Sequence, residues 1–282
     1  MAIKLIIDSA SDISDKEAQE LGLVMLPITI LFNEEEYLDG VNLLPNQFYE
    51  KLINTKTLPK TSQINQFAFE EEFEKHTKNG DELIVITLSS KLSGTYNNAK
   101  NAAEKFKGKV FVVDSLNACT GERLLGLYAL QLIKQGKTAR EIFDELNKIK
   151  SKIRVVAMIG TLEFLKKGGR ISTAAAFAGK LLAIKPIIEV INGEVKVTGK
   201  AIGNKSGFNL VTKTVLKCGG INFDMPFGAI WSGLDKTEIN KYIQENASLW
   251  QNYDKKIPSY VLGGTIGTHI GPGAVGMAFF EK

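Results

Sequence analysis

The first half of the chain alternates short apolar segments with amphipathic ones, as strands alternate with helices. The predicted strands cover 3–7, 23–32, 82–88 and 109–114, and the last two are almost wholly apolar. Strands of this kind, separated by helices, indicate a parallel sheet covered on both faces. The predicted helices between and after them cover 15–21, 45–52, 66–76, 96–105, 121–135 and 139–150.

The pattern changes near Arg154, after which come short strands, glycine pairs and one predicted helix at 237–246. We therefore predict an α/β protein of two domains. The larger N-terminal domain has a parallel sheet and covers residues 1–154, and the smaller C-terminal domain is mixed α/β and covers residues 155–282. The apolar run 174–191 is predicted to form core or to leave room for an apolar ligand.

With 282 residues, 44% of them hydrophobic, the chain can bury a substantial core. The net charge is +4 and the basic residues are scattered, which argues against a nucleic-acid partner. The first apolar run stops at Asp8 and is too short for a signal peptide, and no uninterrupted apolar segment reaches the roughly 18 residues of a membrane helix. We expect a cytoplasmic protein without stable membrane insertion.

Common cofactor and catalytic motifs are missing from the sequence. Cys119 and Cys218 stand far apart without CxxC or Cys/His spacing, so neither a metal site nor a disulfide is indicated. GPGAVG at 271–276 matches GxGxxG, but it leads into a predicted strand, whereas a dinucleotide site needs a helix there. GxxxxGK[ST], HExxH and GxSxG do not occur. We therefore predict neither a cofactor nor a metal.

The segment ITLSSKLSGTY at 86–96 carries hydroxyl groups from a strand into a helix that begins at about Thr95. Ser93, Gly94 and Thr95 then lie at a helix amino terminus, where unpaired N–H groups and the helix dipole favour a carboxylate or phosphate. The alternative is that the hydroxyl groups only cap the helix.

PKTSQ at 59–63 also precedes a predicted helix, and Thr61 and Ser62 could either cap it or reach an anion. From these residues alone capping is the favoured interpretation. Arg170 follows a glycine pair and offers a planar cation suited to a carboxylate or a backbone carbonyl.

One of the two histidines, His269, stands beside Thr268 in GTHIGPGAVG at 267–276, which we interpret as a strand and turn. Glycine allows close approach of the backbone to a ligand and Pro272 fixes the turn, so the imidazole is predicted to keep one orientation beside a small anion. The alternative is a tight hairpin whose histidine bonds only to neighbouring backbone.

Several of these segments together resemble the DegV family of bacterial fatty-acid-binding proteins. The resemblance runs through the chain in order, and the joint occurrence of its motifs is specific. The motifs are IIDSASDI at 6–13, PKTSQ at 59–63, ITLSSKLSGTY at 86–96, VVDS at 112–115, TLEFLKKGGRIS at 161–172, LLAIKPIIEV at 181–190 and IGTHIGPGAVG at 266–276.

The resemblance implies a two-domain α/β protein that holds one long-chain fatty acid in a tunnel, with the carboxylate at the domain interface. It implies that Thr61, Ser93 and His269 contact the carboxylate. Some members present the acid to a fatty acid kinase and perform no chemistry themselves. The implied supporting residues are Ser62, Gly94, Thr95, Arg170 and Thr268.

The chain departs from the family pattern at two positions. Ile202 stands where an arginine-rich stretch is expected, which puts docking to a kinase in doubt and leaves the role of a lipid carrier or buffer. Ser232 follows Trp231 where many relatives have histidine, so His269 is the imidazole expected in the site.

Two other classes of function use the same residues. An acyl-transfer or hydrolytic enzyme would use Ser93 as nucleophile and His269 as base, with Asp8 or Asp114 as orienting carboxylate. A phosphate or sugar-phosphate binding module would use the hydroxyl loops but would leave the apolar segments unexplained.

Overall fold

A computed structural model describes residues 2–55, 57–78, 80–171 and 184–282. In the first half of the chain the strands are β1 (Ile3–Asp8), β2 (Val24–Leu26), β3 (Thr29–Phe32), β4 (Glu35–Leu38), β5 (Lys60–Ser62), β6 (Glu82–Thr87) and β7 (Val110–Asp114). The helices there are α1 (Asp15–Leu21), α2 (Pro45–Asn54), α3 (Gln66–Thr77), α4 (Thr95–Ala103), α5 (Thr120–Lys134) and α6 (Ala139–Ile149).

The second half of the described chain is organised around a mixed sheet. Its strands are β8 (Ile153–Met158), β9 (Ile184–Ile191), β10 (Glu194–Ile202), β11 (Phe227–Trp231), β12 (Ser259–Val261) and β13 (Val275–Phe280). Its helices are α7 (Glu163–Lys167), α8 (Gly203–Lys217), α9 (Thr237–Glu245) and α10 (Gly264–Ile270).

The predicted parallel sheet is confirmed, with strand order β2-β1-β6-β7 and every pair parallel. Alternate residues of each strand point to opposite faces. Ile7 and Ile86 face α5 and α6 in one hydrophobic cluster, while Ile6 and Val85 face α3 and α4 in another. Both faces are therefore buried, which explains the nearly continuous apolar strands in the sequence.

The single strand predicted over 23–32 is wrong, because the chain changes sheets within it. β2 joins the parallel sheet, whereas β3 pairs antiparallel with β4 and β5 in a separate small sheet. Pro27 lies between the two strands, and it lacks the N–H that a continuous ladder would need.

The second sheet has strand order β10-β9-β8-β13-β11-β12 and contains both parallel and antiparallel pairs. α8 and α9 cover one face with Phe208, Val211 and Tyr242. On the other face, Val155 and Ala157 belong to the same hydrophobic cluster as α5 and the parallel sheet. The predicted α/β fold with a parallel and a mixed sheet is therefore confirmed. The division at residues 154 and 155 falls inside β8 and stays a prediction.

The helix predicted at 237–246 is present as α9, but the sequence analysis does not predict α7, α8 and α10. α8 begins with Gly203, Asn204, Ser206 and Gly207, which are poor helix formers, and α10 contains two glycines. In α8, tertiary packing outweighs this low helix propensity, because Gly207 lies so close to Met158 that any side chain there would collide with its sulfur. Of the apolar run 174–191, residues 174–183 lie outside the described residues, and 184–191 is β9.

Candidate functional site

A cavity of ≈ 340 Å³ takes its lining from both halves of the chain. Apolar side chains form most of its wall, and polar groups come from four segments separated in sequence. The apolar residues include Leu88, Cys119, Val155, Ala157, Ile188 and Ile230, and the polar ones are Thr61, Ser62, Gln63, Ser93, Arg170 and His269, with Thr265 deeper along α10.

The polar groups around Thr61 are joined by direct contacts, which places them at one end of the cavity. Thr61 bonds His269, whose ring lies against Gly168. Arg170 connects Gly168 to Leu92, and Gly94, two residues further on, lies against the Gln63 side chain. Ser62 and Gln63 are exposed, so this end faces solvent. The first half of the chain and the second half each supply part of the polar end.

His269 is held by the last turn of α10, so the interpretation of its segment as a strand and turn is wrong. Gly271 follows the helix with φ of 68°, a conformation that favours glycine, and a side chain there would collide with the ring of Phe164. The turn predicted from the glycines therefore begins at Gly271, immediately after the helix. Strand β13 follows it, which confirms that GPGAVG does not lead into a helix.

The imidazole of His269 is fixed between two neighbours. Its Nε2 lies 3.1 Å from Thr61 Oγ1, and its Nδ1 faces Gly168 without a hydrogen-bond partner among the described residues. Burial, aided by the charge of Arg170, lowers the pKa of His269 to about 4. The ring is consequently neutral at pH 7 and can donate one N–H to an anion.

Ser93 lies just before α4, as the sequence predicts, and Gly94 is the residue that caps the helix. Ser93 Oγ lies 3.0 Å from the buried Thr95 Oγ1 and accepts a 3.3 Å bond from the Thr95 N–H. Ser93 lines the cavity, whereas Thr95 stands behind it and orients its hydroxyl. The capping and anion-binding interpretations are thus compatible, because the serine that meets the helix start also faces the cavity.

Thr61 and Ser62 do not cap a helix, so that alternative is wrong. They form the end of β5, where Thr61 pairs with Ile30 of β3, and Asn65 caps α3 by accepting from the Ala68 N–H at 2.9 Å. A strand leaves the Thr61 hydroxyl free to point away from its own backbone, toward His269.

Arg170 joins backbone carbonyls from both halves of the chain. Its Nε donates to Leu92 O at 3.1 Å and its Nη1 to Gly168 O at 2.6 Å. It therefore connects the loop before Ser93 to the loop against which His269 packs. This geometry supports the site from behind while leaving a positive charge beside the polar end.

Thr268 is not brought to the cavity. Its hydroxyl donates to Gly264 O at 2.9 Å inside α10, and its side chain is buried. Ser232 serves the turn after that helix, because its hydroxyl donates to Gly271 O and accepts from the Ala274 N–H, both at 2.8 Å. Gln63 and Thr265 are polar lining residues that the sequence analysis missed, although Gln63 is the last letter of the PKTSQ motif.

Cys119 and Cys218 are free thiols, as expected. Cys119 lines the apolar part of the cavity, and burial raises the pKa of its thiol, so it behaves as a small apolar group. In the described ranges, no three His, Cys, Asp or Glu side chains converge as metal ligands would. None of the described helices has the length and hydrophobicity needed to cross a membrane.

Comparison with known proteins agrees with this architecture. The model of the family described as "Uncharacterised protein, DegV family" matches residues 2–282. A DegV domain-containing protein from Halalkalibacterium halodurans is 32% identical, with 99% of this chain and 98% of the relative covered. Another, from Caldanaerobacter subterraneus subsp. tengcongensis, is 33% identical with 99% of each chain covered. The chain belongs to the DegV family.

Solved structures of similar proteins share the fold over the full length. A DegV family protein from Thermus thermophilus, described by its fatty acid binding, superposes with a TM-score of 0.88 at 29% identity, with all of both chains covered. DegV from Bacillus subtilis, described as a fatty acid binding protein, gives 0.81 at 28% identity, again with all of both chains covered.

Proposed function

We propose that this protein binds one long-chain fatty acid, with the carboxylate at Thr61, Ser93 and His269 and the acyl chain along the apolar part of the cavity. The observation that carries the proposal is the Thr61–His269 pair, 3.1 Å apart, at the polar end of an otherwise apolar cavity. The fatty acid binding described for similar DegV proteins supports the same ligand class.

The apolar wall supplies the affinity in this proposal. Burying about 14 methylene groups of a sixteen-carbon acid at roughly 0.8 kcal/mol each contributes about 11 kcal/mol before the cost of ordering the chain. A phosphate or sugar phosphate would leave that wall without a partner. The apolar character of the wall therefore favours a lipid over a small polar ligand.

The polar end supplies the selectivity for an acid. A carboxylate that leaves water must be paired, and hydrogen bonds to a charged group contribute about 1.5–3 kcal/mol each. The Thr61–His269 bond uses one proton of that pair, so the pair keeps one donor: with His269 Nε2–H donating to Thr61 Oγ1, the Thr61 hydroxyl donates to the carboxylate beside the hydroxyl of Ser93. Ser62, Gly94, Thr95 and Arg170 support these three by position and charge.

The role of an enzyme is not supported by the arrangement of the same residues. Catalysis would need the Ser93 hydroxyl on the His269 ring and a carboxylate on the other ring nitrogen. Ser93 instead bonds Thr95, and His269 Nε2 bonds Thr61, with Nδ1 unpaired among the described residues. Asp8 accepts the N–H groups of Ala10 and Leu88, and Asp114 accepts those of Ser90 and Leu116.

We also propose that the protein is a carrier that hands its acid to other proteins. Ile202, which stands where the family resemblance implies an arginine, is 76% exposed at the end of β10. Presentation to a fatty acid kinase can be tested by comparing phosphorylation of the bound acid by wild type and Ile202→Arg. Phosphorylation of the acid bound to Ile202→Arg, with no phosphorylation of the acid bound to wild type, would support a carrier that does not dock to the kinase.

The head-group assignment is tested by comparing hexadecanoic acid with its methyl ester. Thr61→Ala combined with Ser93→Ala should weaken binding of the acid about a hundredfold and binding of the ester only slightly, because the lost bonds belong to the carboxylate. Equal losses for acid and ester would refute the assignment.

A further inference from the structure

The helix that carries His269 is held at its other end by two aspartate side chains from the first half of the chain. Asp39 accepts the N–H groups of Gly264 and Thr265, at 3.0 and 3.1 Å. Asp12 accepts the Gly263 N–H at 2.8 Å. The first turn of a helix has no partners for these N–H groups within the helix, so the two aspartate side chains decide where α10 begins.

The side of α10 is fixed by close packing against α2 and β3. A side chain at Gly267 would collide with the ring of Phe48, and one at Gly264 would collide with Ile30. Tyr49 Oη donates to the Leu262 carbonyl at 3.0 Å, just before the helix. The helix can therefore neither slide sideways nor rotate without breaking bonds at its start.

The start and end of α10 move together because the helix is short. His269 follows Gly264 by five residues, or about 7.5 Å of helix rise. The Thr61–His269 contact of 3.1 Å tolerates a displacement of only a few tenths of an ångström before the hydrogen bond is lost. A shift at the first turn is thus passed directly to the imidazole.

We propose that Asp39, assisted by Asp12, is a positioning residue that sets the His269 imidazole against Thr61 and thereby sets the preference for a free acid. Neither aspartate is among the residues that line the cavity. The part that concerns acid preference rests on the proposed function. The part that concerns the ring position does not need a ligand.

The matched test compares Asp39→Asn with Asp235→Asn. Asparagine keeps the volume of Asp39 but leaves one acceptor for two N–H groups. Asp235 also accepts an N–H at a helix start, from Thr237 at 2.8 Å, but α9 carries no residue of the cavity. Asp12→Asn repeats the test if Asp39→Asn reduces the folded fraction measured by circular dichroism.

The first readout is the ring nitrogen spectrum of the ligand-free protein. The chain has only two histidines, and His76, which pairs with Glu72 on α3, is an internal reference. Asp39→Asn should move the resonances of His269 and leave those of His76 in place, while Asp235→Asn should move neither. Unchanged His269 resonances in Asp39→Asn would overturn the proposal.

The second readout is binding of hexadecanoic acid and its methyl ester. Asp39→Asn should weaken binding of the acid about tenfold and binding of the ester less than about threefold. In a His269→Gln background, Asp39→Asn should affect binding of both ligands equally. An equal loss for both ligands while His269 is present would contradict the acid preference. A wild type that binds neither ligand would refute the proposed function, and the ring spectra would still decide the positioning role.

Discussion

The apolar part of the cavity includes side chains from neighbouring strands of the mixed sheet, whereas the polar end takes its groups from a sheet edge and two helix ends. Val155, Ala157 and Ile188 lie on neighbouring strands of one sheet. Thr61, Ser93 and His269 come from β5, the start of α4 and the end of α10. The difference suggests that the apolar wall sets how long a ligand fits, while the polar end sets which head group is accepted.

The largest expected effect comes from filling the apolar wall. Ala157→Leu adds a branched side chain to β8, where Ala157 lines the cavity. Binding of hexadecanoic acid should fall about a hundredfold or more, because the chain and the new side chain compete for the same volume. An acid of about eight carbons, measured by calorimetry alongside, should lose much less because it does not reach as deep. An equal loss of affinity for both acids would mean that the apolar wall does not limit the length of the ligand.

The second effect concerns stability and follows from the lowered pKa of His269. The folded pKa of about 4 lies below the ordinary 6.5, so the unfolded state binds more protons between these values and stability falls as the pH is lowered through them. His269→Gln should remove a loss of about 2 kcal/mol between pH 7 and pH 5.

The comparison with the variant is necessary because other groups act in the opposite direction. Burial raises the pKa of Asp8 to about 7 and that of Asp12 to about 8, so their contribution to stability declines as the pH rises. Urea unfolding of wild type and His269→Gln at each pH separates the contribution of His269 to stability from those of the aspartates. Parallel stability curves for wild type and variant would show that the ring is not buried in its neutral form.

Removing one head-group donor should have a smaller effect. Thr61→Val keeps the shape of the side chain and removes the hydroxyl that bonds His269. Acid binding should weaken about tenfold, and methyl ester binding should change little, as read by titration calorimetry. A comparable loss of ester affinity would mean that the carboxylate does not bind beside β5.

The smallest effect is expected from crowding His269 indirectly. Gly168→Ala places a methyl group against Nδ1 of the ring and should weaken the acid several-fold more than the ester. Gly199→Ala on β10 is the control, because its added methyl group approaches the end of the Leu210 side chain at 3.0 Å and otherwise makes ordinary contact with Ile187. If both variants behave alike, contact with Gly168 does not orient the ring.

The first half of the fold could be read from the sequence because its signals are local. The structure contains the apolar strands predicted there, and it caps α1 with Ser14 and α6 with a Thr138–Glu141 capping box. The interpretation failed at Pro27, where one apolar run serves two sheets. It failed again at α8 and α10, whose glycines are tolerated only because the helices pack closely on their neighbours.

The sequence predicts which residues form the polar end but not how they are arranged in space. The hydroxyl loops and His269 were identified by residue type, and the structure joins Thr61 to His269 across 208 positions of sequence. The helix under His269 and its anchor on Asp39 could not be foreseen, because they depend on contacts between distant segments. Helix ends and sheet edges meet only after the whole chain has folded.

The most direct test of the central claim is native mass spectrometry of the purified protein, followed by denaturing extraction and lipid analysis. A single fatty acid bound in a one-to-one ratio, displaced by added hexadecanoic acid but not by phosphate, is the result we predict. A protein that carries no lipid and takes up none of the added acid would contradict the proposed function.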